Sequence, residues 1–396
     1  MKYAIPFAIV VCVCSLGWTE NGDDELSVRT HLTGDWDGRR SAWEARGFTF
    51  DLVYTAEYFE NVSGGIRDGG DYRGDLSLTL ELDTSAAGLW ENGDFFVHLQ
   101  EQHGHGITER YAGDFQVLSN IDADDYYQVS EFWYRHRFLD SRLWIKIGKQ
   151  ESNEDFAFVE YGGEFINSSG GFHPTIPLTT YPDQDWGLVV GIEPVEWFSM
   201  NVGAYQGRVN GGQSIGNTVD ALYGPMAVIE PALHYTVGGM DGHFRFGYWF
   251  HGDNFDRLNG TGETDGTDGF YVTLDQEVYR ENVGDEESDQ GIGIFAQFGA
   301  SDGEYFEAET YVGAGLQWTG AINGRDEDVL GLGIFHVELS EEGGFVEDSE
   351  TVYELFYKAQ ITPWFSMKPD VQFIVNPGGS GNSDALVLGL RTELSF

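Results

Sequence analysis

The residues best suited to bind a small polar solute are charged and aromatic side chains that recur at every second position. Glu131, Trp133 and Arg135 combine a hydrogen-bond acceptor, a flat ring and a donor on one side of an extended segment. Such a set suits a neutral, hydroxyl-rich solute, because charged groups hydrogen-bond hydroxyls and ring faces pack against the solute. We take these three residues as the best candidate for a functional cluster.

Other charged residues share this inward direction in the alternating pattern. They are Glu57, Glu81, His98, Arg245, Glu354, Lys358, Lys368, Asp370, Arg391 and Glu393. Opposite charges recur on neighbouring segments, first within Glu354–Lys358, then within Lys368–Asp370, then within Arg391–Glu393. For any one residue a structural role is an equal alternative, because charge ladders between strands solvate a wall and fix its register.

The elements that must position these residues are strands, because polar and apolar side chains alternate along most of the chain. Leu76, Leu78, Leu80 and Leu82, for example, alternate with polar residues. Successive strand side chains point to opposite faces, so this pattern predicts a sheet between two different environments. We count about sixteen such segments: 49–59, 75–83, 94–102, 128–138, 142–150, 187–192, 197–207, 227–235, 242–251, 269–276, 290–299, 308–318, 328–337, 351–361, 364–376 and 385–396.

Three features favour a membrane barrel over a soluble sandwich. The segment number is even, as in bacterial outer-membrane barrels. The last strand ends in Phe396, as terminal strands of such barrels commonly do. Tryptophans near strand ends suit the girdles at lipid headgroups: Trp90, Trp144, Trp197, Trp249, Trp318 and Trp364. A closed sheet satisfies its backbone in lipid, and about sixteen strands leave a water-filled lumen. We therefore predict an all-β, closed antiparallel transmembrane barrel and passive diffusion of small solutes.

The chain divides into three parts by this interpretation. Residues 1–17 have a charged start, a short apolar run and a small-residue cleavage pattern, which predicts a signal peptide. Residues 18–48 form an N-terminal segment with a short helix at the periplasmic mouth, capped by Ser41 with Glu44 and stopped at Gly47. The barrel occupies 49–396. The N-terminal helix either enters the mouth or only seals the barrel end.

Charge and composition exclude several other classes. The net charge is −45, so a nucleic-acid partner is not expected. The acidic stretches Glu263–Asp268 and Asp285–Asp289 suit solvated loops, with cations bridging lipopolysaccharide as the alternative. The only cysteines, Cys12 and Cys14, lie in the predicted signal peptide. We predict no cofactor and no metal site.

One short motif resembles an enzyme signature but lacks its context. Residues Gly212–Gly216 match G-x-S-x-G, yet no helix pattern follows as a nucleophile elbow requires. We therefore predict a chain that is not an enzyme. The rival classes are a barrel lipase and a soluble, sugar-binding β-sandwich. Ester hydrolysis would identify the lipase, and recovery without detergent would identify the sandwich.

Several ordered stretches of the mature chain resemble the carbohydrate-selective porin (OprB-like) family. Each stretch alone is weak, but their order and spacing together are specific. The main ones are 34–40, 47–55, 61–65, 76–83, 131–133, 143–149, 165–169, 326–333, 354–358, 363–364, 368–373, 376–379 and 389–391.

The resemblance implies carbohydrate-selective uptake across the outer membrane of a Gram-negative-type bacterium, with glucose-like monosaccharides as solutes. The expected partners are small sugars, outer-membrane lipid and lipopolysaccharide, in a homotrimer or a monomer. The chain departs from the family in its acidity and in long acidic loops near 253–268 and 281–289. A general or cation-preferring diffusion porin is therefore the alternative.

Overall fold

The computed structural model describes residues 26–207, 224–281 and 290–396. Sixteen strands dominate these residues: β1 (Phe48–Ser63), β2 (Gly69–Asp83), β3 (Gly93–Gly104), β4 (Tyr126–Phe138), β5 (Leu143–Gln150), β6 (Asp185–Val195), β7 (Phe198–Tyr205), β8 (Met226–Val237), β9 (Met240–Asp256), β10 (Glu263–Arg280), β11 (Gly291–Ala300), β12 (Ala308–Thr319), β13 (Val329–Leu339), β14 (Ser349–Thr362), β15 (Phe365–Val375) and β16 (Ala385–Ser395). Two short α-helices are α1 (Arg39–Glu44) and α2 (Ser168–Gly171). Single helical turns lie at Leu26–Val28, Thr108–Ala112, Glu160–Gly162, Glu341–Gly343 and Pro377–Gly379.

Each strand pairs antiparallel with its sequence neighbours, and β1 pairs with β16 to close the barrel. Glu57 stands opposite Arg391 across the closing seam. Each predicted segment coincides with one observed strand, so the sixteen-stranded closed barrel is confirmed. Closure leaves no free sheet edge, which is the condition for a sheet in lipid.

The two faces of the barrel differ as the alternation predicts. Outward residues are apolar and exposed, such as Leu332 on β13 and Leu388 on β16. Among the described residues, no helix is both long and apolar enough to cross a membrane. Trp90, Trp197 and Trp318 are exposed, in keeping with a girdle. The girdle prediction is wrong for Trp249, because this residue points inward and is fully buried against Phe306.

The two ends of the barrel carry connections of different length. At the end that holds both termini, β6–β7, β8–β9 and β14–β15 are joined by two-residue turns. At the other end, residues 105–125 join β3 to β4, and residues 151–184 join β5 to β6. Bacterial barrels have short periplasmic turns and longer extracellular loops, so the termini mark the periplasmic end.

The predicted acidic loop near 253–268 is mostly strand. β9 continues to Asp256 and β10 begins at Glu263, with these two residues directly opposite each other. Only residues 257–262 form the connection. A register shift between Asp265 and Thr267 lets this long hairpin bend while it keeps its ladder. The acidic stretch Asp285–Asp289 lies outside the described residues.

The N-terminal segment packs on the outside of the periplasmic rim. Trp36 stacks on Phe50 at 4.9 Å, and Trp43 contacts Phe48 edge-on. Both phenylalanines point outward, so this segment contacts the outer face of the rim. Arg40 donates to the Phe396 carbonyl at 2.6 Å, which ties the segment to the last residue.

The predicted N-cap of this helix is wrong by several residues. The helix begins at Arg39 after Gly38, whose φ of +81° suits glycine. Asp35 accepts the Ser41 backbone N–H at 2.8 Å and the Ser41 hydroxyl at 2.9 Å. Ser41 therefore lies inside the helix. The side-chain hydrogen-bond acceptor at the helix start is Asp35 and not Ser41. The predicted stop at Gly47 agrees with its φ of +77°.

Two connections fold into the lumen and fill much of it. We name residues 105–125 loop A and residues 151–184 loop B. Loop A places Ile107 and Leu118, and loop B places Phe165 and Ile166, in an apolar core against β11–β16 and β1. A second core joins other residues of loop B to β6–β10. The sixteen strands therefore enclose a wide lumen, but the two loops occupy much of it and leave only part open.

Candidate functional site

The two loops leave one large cavity beside strands β14–β16 and β1–β3. Its volume is about 830 Å³. Lys358, Lys368 and Arg391 line it from β14, β15 and β16, and Glu393 adds a carboxylate. Thr55, Asp75, Ser77 and Gln100 line it from β1, β2 and β3. Four of the residues predicted from the sequence therefore reach the open lumen.

Glu164 of loop B neutralises two of the basic residues. Its carboxylate oxygens lie 2.7 Å from Lys358 Nζ and 2.6 Å from Lys368 Nζ. Burial opposes ionisation of Glu164, but the two ammonium groups outweigh it and lower the pKa of this carboxyl to about 2. The three residues form a charged bridge across the cavity wall.

Arg391 and Glu57 join loop A to the barrel seam. Arg391 Nη2 lies 2.9 Å from Glu57 Oε2 and donates to Asn120 Oδ1 at 2.8 Å. The Ser119 hydroxyl donates to Glu57 Oε1 at 2.7 Å. Both charges are buried and paired, which satisfies them while Arg391 still borders the cavity.

Acidic side chains of the loops line the other side of the cavity. Asp122 and Glu154 both border it. Burial raises the pKa of Asp122 to about 6, although Arg73 opposes the rise. Burial and the Glu131 carboxylate raise the pKa of Glu154 to about 8. The cavity therefore faces a basic strip on one side and titratable acids on the other.

Aromatic rings from the loops complete the lining. Phe115 comes from loop A, and Phe158, Phe172 and Tyr181 come from loop B. Tyr181 donates from its hydroxyl to the Ile121 carbonyl at 3.0 Å, so the two loops brace each other. Ring faces beside charged donors and acceptors provide what a sugar ring with its hydroxyls can contact.

The cluster favoured from the sequence lies on the inner wall but is covered. Glu131 is 2% exposed and Trp133 is 6% exposed. The Trp133 indole donates to Glu131 at 3.1 Å, and the Glu151 backbone N–H donates to the same carboxylate at 3.1 Å. Arg135 pairs with Asp94 at 3.1 Å. In this structure Glu131 holds loop B, and its role in solute contact stays a prediction.

The remaining predicted residues also point inward and are held mostly by protein contacts. His98 contacts Ser77 and Glu131, Arg245 pairs with Asp275 at 2.8 Å, and Glu81 is exposed near the periplasmic end. Glu354 is fully buried beneath loop B, and Asp370 accepts from Gln372 at 3.2 Å. None of these five borders the cavity.

The residues that the sequence did not reveal are those of the inward loops. Glu164, Asp122, Glu151 and the four loop aromatics follow no alternation, so period-two patterns cannot identify them. Signals were available in loop B, where the run Phe156–Val159 and the pair Phe165 and Ile166 are apolar inside a polar connection. Such a pair indicates a loop that packs against something rather than one that remains in solvent.

Other motifs show no site in the described parts of the chain. Over residues 26–207, 224–281 and 290–396, no group of three or more metal-ligating side chains is arranged for an ion. The nearby histidines His103 and His105 lie on different elements, since His103 faces outward on β3 beside Tyr54 and His105 belongs to loop A. The G-x-S-x-G motif at Gly212–Gly216 lies outside the described residues.

Comparisons with known proteins agree with this geometry. Porin B of Pseudomonas aeruginosa is 24% identical over 92% of this chain and 91% of its own length. The high pH structure of Pseudomonas putida OprB superposes with a TM-score of 0.84 at 22% identity, covering 93% of this chain and 99% of that chain.

A more distant solved structure shares the barrel fold. The outer membrane channel DcaP of Acinetobacter baumannii superposes with a TM-score of 0.52 at 10% identity, over 88% of this chain and 97% of that chain. The family model described as carbohydrate-selective porin, OprB family, matches residues 67–396. This chain therefore belongs to the OprB family of carbohydrate-selective porins.

Proposed function

We propose that this chain is a channel for passive diffusion of small, glucose-like sugars across the outer membrane of a Gram-negative-type bacterium. The observation that carries the proposal is the cavity of about 830 Å³. It combines Lys358, Lys368 and Arg391 with carboxylates and loop aromatics. Its volume lies in the usual range for small-molecule sites, and its lining matches hydroxyls and a ring.

Transport through this cavity needs no covalent step and no energy source. A solute that exchanges water for charged hydrogen bonds enters easily, and several weak contacts in series let it leave. The proposal therefore assigns no enzymatic activity to the chain. Its other partners are outer-membrane lipid and lipopolysaccharide on the apolar outer face. Light scattering in detergent distinguishes a monomer from a homotrimer.

Liposome swelling tests the proposal most simply. Vesicles that contain the purified chain are placed in isosmotic solutions of monosaccharides, disaccharides and trisaccharides. Glucose should enter faster than its size alone predicts, and the swelling rate should fall steeply for trisaccharides. Equal rates for a sugar and a zwitterionic amino acid of the same size would contradict carbohydrate selectivity.

The second candidate is a general or cation-preferring porin. Six carboxylates border the cavity among the described residues: Asp75, Asp122, Glu151, Glu154, Glu164 and Glu393. Three basic residues face them there. Reversal potentials in a KCl gradient across a planar bilayer measure this preference. Strong cation selectivity without block by added glucose would favour this second candidate.

A further inference from the structure

Two stretches that carry the family resemblance meet inside the barrel. Loop B contributes Phe165–Asn167, and β14 contributes Glu354–Phe356. These stretches are 188 positions apart where Ile166 meets Glu354. We call this contact the latch. Neither Glu354 nor Phe165 borders the cavity, so solute contact does not account for them.

The polar half of the latch is the Glu354 carboxylate. Oε1 accepts the Ile166 backbone N–H at 2.6 Å, and Oε2 accepts the Asn167 N–H at 3.0 Å. Glu354 is 0% exposed. Burying a carboxylate costs free energy unless it is fully hydrogen-bonded. The Glu354 carboxylate therefore holds the Ile166 and Asn167 amides at fixed positions on the barrel wall.

The apolar half is the Phe165 ring. It packs edge-on against Phe295, Phe335 and Phe356, with ring centroids 5.5, 5.5 and 5.0 Å away. Gly333 leaves the space for this ring, because a Cβ there would lie 2.6 Å from Phe165 Cε1. The wall thus has a socket shaped for one side chain of loop B.

The latch lies next to the charged bridge in sequence. Glu164 precedes Phe165 directly, and its carboxylate reaches Lys358 and Lys368. Lys358 is four residues beyond Glu354 on the same strand, on the same inward face. Fixing Phe165–Asn167 therefore fixes where loop B borders the cavity.

We propose that Glu354 and Phe165 are positioning residues that set the width of the channel by holding loop B against the wall. This inference rests on the proposed function, since it concerns the channel that sugars use. Releasing the latch lets loop B move, so larger solutes enter. The selectivity for size then falls, whereas the barrel itself stays closed.

The test compares E354A and E354Q with the matched control E338Q. Glu338 is exposed on the neighbouring strand β13 and points away from loop B. The readout is the liposome swelling rate for a trisaccharide divided by the rate for glucose. We expect this ratio to rise about threefold in E354A and less in E354Q, whose amide still accepts one hydrogen bond. E338Q should keep the original ratio.

Folding is checked by heat-modifiable migration in gels, which reports barrel closure. If E354A does not fold, F165L tests the same contact with a smaller disturbance and should also raise the ratio. An unchanged ratio in a folded E354A or F165L channel overturns the inference. Failure of the unmodified chain to admit glucose overturns the proposed function instead, so the two outcomes are distinct.

Discussion

Strands β14–β16 and β1–β3 present charged and polar side chains to the cavity, although loops A and B also pack on part of that wall, whereas no described residue of β6–β13 borders the cavity. Both arcs have inward polar residues. Lys368 on β15 borders the cavity, but Thr273 on β10 is 0% exposed. The difference lies in the loops, because loop B packs on the β6–β10 wall through Phe156, Ala157 and their neighbours.

This contrast separates two properties that alternation alone treats as one. Facing inward is set by the strand pleat. Meeting water is set by which part of the wall the loops leave uncovered. Predictions that compare the two arcs therefore test the role of the loops in making the channel selective.

The largest effect is expected from removing the basic strip of the open arc. In K358A/K368A, Glu164 and Glu393 lose their lysine partners, and sugars lose two charged donors. Each such hydrogen bond contributes about 1.5 kcal/mol, so the loss of two should raise the glucose concentration that half-blocks the current about a hundredfold. K358R/K368R keeps both charges and should change it less than twofold. Equal loss in both double variants would show that charge is not the determinant.

A smaller effect is expected from removing the acid that neutralises this strip. E164Q removes the carboxylate that pairs with both Lys358 and Lys368, and leaves Lys358 only the longer contact with Glu393 at 3.7 Å. One unit charge at about 4 Å in water contributes about 1 kcal/mol, so the chloride-to-potassium permeability ratio should rise about fivefold. Reversal potentials in a KCl gradient measure this ratio. A ratio that stays constant would mean that ions bypass loop B.

The pH dependence should come from the loop acids. The pKa values of Asp122 and Glu154 are raised to about 6 and about 8, so both carboxyls are neutral at pH 5 and charged at pH 9. The cavity gains negative charge as the pH rises, so cation preference should increase, by about twofold to threefold. Reversal potentials at the two pH values test this, and D122N/E154Q should reduce the increase, with Glu151 as the remaining cavity acid of raised pKa. A preference that falls with rising pH contradicts the assignment.

The smallest effect on transport is expected at Trp133, which lies on β4 between the two arcs and is buried. W133F keeps the ring but removes the indole donor to Glu131. We expect the free energy of unfolding in urea to fall by about 1 kcal/mol, because one buried hydrogen bond is lost. Glucose block should change less than twofold. A large change in glucose block would show that Trp133 contacts the solute.

The strands were predictable because each follows from local alternation. Lys358, Lys368, Arg391 and Glu393 face inward for the same reason, and their contact with solute stays a prediction. The inward loops were not predictable, since the Ile166 amide finds its acceptor in Glu354, 188 residues away. The cap of α1 was not predicted either, although the separation is much shorter, because its acceptor Asp35 lies six residues before Ser41.

The covering of one arc by the loops is tested most directly with two matched threonines. Thr55 borders the cavity, and Thr273 is fully buried between Arg245 and Gln297, which donate to the loop B carbonyls of Phe158 and Gly170. Single cysteines are placed at each position in a chain without Cys12 and Cys14, and a charged thiol reagent is added during conductance recording. T55C should react quickly, lower the conductance and be protected by glucose, whereas T273C should stay unmodified. Equal reaction rates at both positions would contradict the account.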